Sequence, residues 1–245
     1  MAYNKSNLVN KNYNSKPKTD LSQLFKLLYK KKGFFSLILV TLVIQLYITY
    51  YISENFNIEE DKEIKDSNVH PININTNLII ALIVSFFLIF ILAVVPMPSW
   101  LKFIVFSLFS ATSGVILAYR KSRYDPNTIK TAFLGTIGIF VSMFAFGVAL
   151  VASNIQLSPI FGLRLLYALM FLIMVIIVQF FLQSSLLYKI VVVSVLMLFS
   201  VYIIYTTNSI LQRNYSEDFI TASLDYYIGI KIIFSNLLSA SEFDD

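Results

Sequence analysis

No cysteine occurs among the 245 residues, and histidine occurs once, as His70. Without thiols there is no disulfide scaffold, no cysteine-ligated zinc or iron–sulfur site and no thiol nucleophile. One imidazole cannot build a multi-histidine metal centre. Charge is scarce too: 13% of residues are charged, against about 25% in an ordinary soluble chain. The six prolines (Pro17, Pro71, Pro96, Pro98, Pro126 and Pro159) all fall outside the long apolar runs, as helix punctuation should. What remains is 57% hydrophobic, with a mean hydropathy of +0.72. That composition describes an integral membrane protein, whose first partner is the lipid bilayer. The formal net charge is +5. The basic residues gather at the chain start beside the first apolar run, so membrane-surface charge accounts for them and no nucleic-acid partner is expected.

A membrane-spanning helix needs roughly 17–25 mostly apolar residues. Seven runs qualify: Phe34–Ile52, Leu78–Val95, Phe103–Tyr119, Thr131–Ala152, Leu165–Leu182, Ile190–Leu211 and Phe219–Leu238. The last contains Asp225 and Lys231, which leaves six spans plus a re-entrant seventh helix as the alternative. The expected fold is therefore an all-α, seven-helix membrane bundle over 34–238. A basic tail, 1–33, precedes it and is expected to be disordered; a short acidic tail, 239–245, follows. Continuous runs argue against a β-barrel, whose strands would alternate. Residues 1–33 hold eight lysines and one acid, Asp20, which favours a cytosolic N-terminus. In that orientation the cytosolic side carries eleven Lys and Arg and the other side seven. The basic loop Arg120–Lys130 runs against the bias.

Lipid removes the usual hydrophobic drive between helices, and small residues let backbones approach instead. The fourth run carries Gly135, Gly138, Ser142, Ala145, Ala149 and Ala152 on one helical face. The third carries Ser107, Ala111, Gly114 and Ala118. These two seams predict a tight central pair of consecutive helices, with a channel-lining face as the functional alternative. Gln45, Gln179 and Gln183 are expected to link helices by hydrogen bonds.

Ionisable groups inside a membrane are costly and usually functional. The first six runs contain no acid. The sixth ends in Tyr205-Thr206-Thr207-Asn208-Ser209, and in the seventh Asp225 lies one turn before Gly229. Two antiparallel neighbours would bring these groups together as a pH- or cation-sensitive gate. The alternative is that Asp225 simply faces lipid headgroups. Lys231 is expected to snorkel to the interface, and Glu217 and Asp218 to cap the seventh helix. The acidic loop Ser53–Asn77 lacks the spacing of a calcium loop, and one intramembrane carboxylate makes no tight site. No cofactor is expected beyond a weak interaction with calcium or protons.

Several of these segments resemble the Bax inhibitor-1 family. Phe106–Leu117, with Ser113-Gly114, is similar to its third span; Ala132-Phe133 followed by Thr136 is similar to its fourth. Tyr202–Leu238 resembles its last two spans, and Asp244-Asp245 the end of bacterial members. The resemblance covers about residues 26–245. It implies seven helices, a cytosolic N-terminus, calcium leak from the endoplasmic reticulum or Golgi, and suppression of cell death. It also implies a pH latch of two aspartates, and here the sequence departs. Thr206 stands at the first aspartate, Gly229 at the second with Asp225 a turn earlier, and Lys102 is the one candidate for a basic partner near the third span. The leading expectation is thus a calcium-leak protein of an endomembrane, or of the plasma membrane if the source is bacterial. The alternative is a non-conducting scaffold for other membrane proteins. An enzyme is not expected: a Ser–His dyad would need a histidine within the membrane, and a retinal protein using Lys231 would want a counter-ion carboxylate in the bundle.

Overall fold

A computed structural model of the chain describes residues 21–56, 76–212 and 218–243, with 21–31 described by backbone alone. It contains seven α-helices: α1 (Leu21–Asn55), α2 (Thr76–Val94), α3 (Ser99–Lys121), α4 (Pro126–Ala152), α5 (Pro159–Leu182), α6 (Ser185–Gln212) and α7 (Phe219–Ala240). A 3-10 turn, Ser241–Phe243, follows α7. No strand is present among the described residues. The fold is all-α, as the apolar runs predict. α1 begins at Leu21, so helix occupies the last thirteen residues of the segment expected to be a disordered tail. His70 and most of the acidic first loop lie outside the described residues.

Helix starts follow local chemistry. Asp125 accepts from the Asn127 backbone N–H ahead of α4, and Ser158 from Phe161 ahead of α5. In each case proline takes the first helical position, where its missing N–H costs nothing.

The bundle is turned inside out relative to a soluble protein. Phe180 and Phe181 are 74% and 78% exposed, while Gln45 and Asn208 are 0% and 1% exposed. Only an apolar solvent makes that distribution favourable, so the outer surface is a lipid-facing one. Six helices, α1 to α6, are long and apolar enough to cross a membrane. α7, an unbroken helix of 22 residues, is the exception, and its position explains why. It packs against α1, α3, α4 and α6, which shield it from lipid, and Tyr226, Tyr227, Ile220, Ala222, Ser223, Ile233 and Leu238 are fully buried. A shielded helix can carry polar side chains that a lipid-facing one could not.

The seams do not pair as expected. The α3 seam packs on α1: a Cβ at Gly114 would stand 2.7 Å from the Thr49 carbonyl oxygen. α4 packs on α6 through another glycine, Gly147, where a Cβ would lie 2.7 Å from Thr207 Cβ. Gly138, Ser142, Ala145 and Ala149 are exposed instead, and nothing lies within 4 Å of a Cβ placed on Gly138. The six-residue stripe is regular, but the inward face of α4 is the one holding Ala132, Thr136, Gly147 and Val151.

Candidate functional site

The α6–α7 interface gathers the polar cluster that the sequence points to. Thr206, Thr207 and Asn208 are buried and Asp225 is half-buried. The Asp225 carboxylate and the Thr206 hydroxyl flank the Tyr202 phenol, each within hydrogen-bonding reach of it. Tyr202 lies one helical turn before Thr206 on α6, so that spacing is the signal by which it could have been found. The remaining residues fan out. Thr207 Oγ1 meets the Tyr226 hydroxyl at 2.8 Å and donates to the Ile203 carbonyl at 2.9 Å. Asn208 turns to the α4–α5 connection, accepting from the Leu157 N–H at 2.9 Å and donating to the Ile155 carbonyl at 3.0 Å. Gly229 faces Ile203, whose Cγ1 would lie 3.4 Å from an added Cβ. One carboxylate with hydroxyls around it can accept a proton or hold a cation loosely. Among the described residues no three acids, histidines or cysteines cluster closely enough to bind a metal.

Lys102 belongs to a separate site, at the α7 N-terminus. Its ammonium pairs with the Asp218 carboxylate at 2.5 Å and also contacts Thr221 Oγ1. Asp218 caps α7 by accepting from the Thr221 N–H at 3.0 Å. Burial alone would push the Asp218 pKa up. The hydrogen bonds from Lys102 and Thr221 outweigh it and hold the carboxyl below its ordinary range. The capping role expected of Asp218 is present; that of Glu217 lies outside the described residues. Thus Lys102 does have an acidic partner, but it is Asp218 rather than Asp225.

At the opposite end Glu242 accepts from the Tyr124 hydroxyl at 2.5 Å and from Tyr188 at 3.1 Å. Burial and the neighbouring carboxylate push the Tyr124 phenol up to about 12. Lys231 does not snorkel outward. Its ammonium donates to Ser113 Oγ at 2.7 Å and sits 4.9 Å from the centre of the Phe109 ring. Gln45 does link two helices, donating to Ser107 Oγ at 3.1 Å. Gln179 and Gln183 make no side-chain hydrogen bond across helices among the described residues, because α5 is bordered by α6 alone along most of its length.

Compared with known protein families, residues 29–242 match the family described as inhibitor of apoptosis-promoting Bax1. The chain belongs to the Bax inhibitor family. No curated protein matches it. Within this Bax inhibitor family member the departures noted in the sequence have visible surroundings. Thr206 and Gly229 occupy the two positions where the resemblance implies aspartates. Thr206 is buried beside Tyr202 and Asp225, whereas Gly229 faces the aliphatic Ile203. Among the described residues Asp225 is therefore the acidic group beside Thr206, with Tyr202 taking the neighbouring place.

Proposed function

We propose that this Bax inhibitor family protein is a seven-span calcium-leak channel whose α6–α7 interface is the ion pathway and gate. The observation that carries the reading is the meeting of Asp225 with Tyr202 and Thr206 inside a bundle whose outer surface is apolar. An intramembrane carboxylate is retained against a large desolvation penalty only where it serves transport or is closely paired. Weak coordination by one carboxylate suits passage rather than storage, since conduction needs a site that an ion can leave. In this reading the N-terminus is cytosolic, the Lys102–Asp218 end faces the cytosol, and the membrane is that of the endoplasmic reticulum or Golgi. Lowering stored calcium is the means by which the protein suppresses cell death. No enzymatic step and no tight cofactor enter the reading.

The test is calcium flux into liposomes holding the purified protein. Thr206→Asp would restore a carboxylate pair across α6 and α7, and flux should then fall more steeply as pH rises than in wild type. Superimposable pH profiles would remove these residues from the pathway. A second reading rests on Gly229 and Lys231. With Ile203 opposite Gly229 and a cation further along α7, the protein is a non-conducting scaffold for other membrane proteins. Well-folded wild type that carries no calcium would favour it.

A further inference from the structure

The other face of α7 carries a second set of polar groups that neither the family resemblance nor the proposed leak uses. Ser223, Tyr227, Lys231 and Ser235 recur every four residues and so share one stripe. On α1, Thr41, Gln45, Thr49 and Ser53 do the same. The two stripes meet Ser107, Ser110 and Ser113 of α3. Gln45 bonds Ser107 at 3.1 Å. Thr49 Oγ1 meets the Tyr227 hydroxyl at 2.6 Å. Ser113 also lies within hydrogen-bonding reach of Tyr227 and accepts from Lys231 at 2.7 Å. Beyond Lys231, Arg120 donates to the Ser235 carbonyl at 3.2 Å.

Gln45 Oε1 is buried with no hydrogen-bond partner; Ser110 Oγ is buried too, and the hydroxyl within its reach is that of Tyr227. Both residues are 0% exposed. An orphaned polar atom in so polar a setting calls for bound water, which satisfies such groups elsewhere in proteins. Lys231, meanwhile, forms no ion pair with a carboxylate among the described residues. The charged side chain that acts on it is Arg120 of α3, and Tyr227 is the titratable group one turn away on its own helix.

We propose that the α1–α3–α7 interior is a hydrated proton path with Lys231 as its ionisable station, separate from the Asp225 interface. The Lys231 ammonium gives up a proton to the track and is reprotonated by water from the Glu242 end. The ammonium passes a proton to Ser113 Oγ as Ser113 releases its own toward the Tyr227 oxygen, and Tyr227 releases one toward Thr49. A water held at Ser110 and Gln45 receives the proton that Thr49 releases and hands one on to water at the Lys102–Asp218 end. Each hydroxyl gains one proton and loses one, as a group that both donates and accepts can, and Lys231 is left ready for the next. Intramembrane ionisable groups linked in this way are a recurrent means of proton movement.

Proton uptake by liposomes holding the full chain, driven by a potassium-diffusion potential and read by an internal pH dye, tests this. Ser110→Ala removes a buried hydroxyl whose protein neighbour, the Tyr227 hydroxyl, keeps its contact with Thr49, so a purely structural role predicts at most a small loss of thermal stability and unchanged uptake. The proton path predicts uptake lowered by about tenfold, the equivalent of one lost hydrogen-bonded link. Lys231→Met is expected to lower it by at least as much, and Asp225→Asn to leave it at the wild-type rate. Thermal unfolding in detergent confirms that each variant is folded. Wild-type uptake no faster than that of protein-free liposomes overturns the proposal, as does wild-type uptake in both Ser110→Ala and Lys231→Met. The Asp225→Asn arm keeps this result distinct from the calcium reading, which stands or falls on its own flux assay.

Discussion

At the scale of single residues, the Lys102–Asp218 pair makes the firmest statement about pH. The Asp218 carboxyl titrates below its ordinary range in the folded chain. Its contribution to stability is therefore complete above the unfolded carboxylate value of about 4 and is lost as pH falls through the lowered folded value. The unfolding midpoint in detergent should drop as the solution is acidified through that window. Lys102→Met should flatten the drop and lower the midpoint at neutral pH. The side chains keep 15% and 30% of their exposure, so solvent screening holds the effect to about 1 kcal/mol or less. The same acid slope in both proteins would show that the pair adds nothing. Asp218 was legible in the sequence as a helix cap, because acids favour the start of a helix. Its partner was not, because 116 residues separate the two and no local rule connects them.

At the scale of helices, the glycines separate two faces that composition alone makes alike. Gly114→Leu and Gly147→Leu would drive side chains into α1 and α6 and should each lower stability by about 1–3 kcal/mol or more. Gly138→Leu should stay within about 0.5 kcal/mol, because its side chain would enter open, lipid-facing space. Thermal unfolding of the three variants side by side checks this, and a Gly138→Leu loss as large as that of Gly114→Leu would contradict the packing described. Number and order of the helices could be read from the apolar runs, since each spanning segment must satisfy its own backbone; their starts could not, because α1 begins at Leu21, well before its apolar run. The pairing of helices could not. A small-residue stripe states where a neighbour could approach, and α4 carries two such faces, only one of which meets α6. The polar stripes of α1 and α7 were equally open to reading at a spacing of four. Their meaning depends on α1 lying beside α7, which no sequence spacing gives.

At the scale of the whole molecule, α7 is a polar core helix inside a shell of apolar ones, and its two faces separate two sets of chemistry. One face brings Asp225 to Tyr202 and Thr206; the other brings Lys231 to Ser113 and Tyr227 to Thr49. The candidate gate was legible as a list, since Asp225 and the Thr206–Asn208 cluster stand out in an otherwise acid-free stretch. Its geometry was not: Tyr202 joins it and Asn208 leaves it for the α4–α5 connection. The central claim is that ions pass along the Asp225 face. Calcium flux through wild-type protein in liposomes, followed from mildly acidic to mildly alkaline pH beside Asp225→Asn, tests it most directly. The account predicts a wild-type flux that varies with pH and a mutant flux that is lower and nearly independent of pH. Equal flux and equal pH dependence in the two proteins would contradict it.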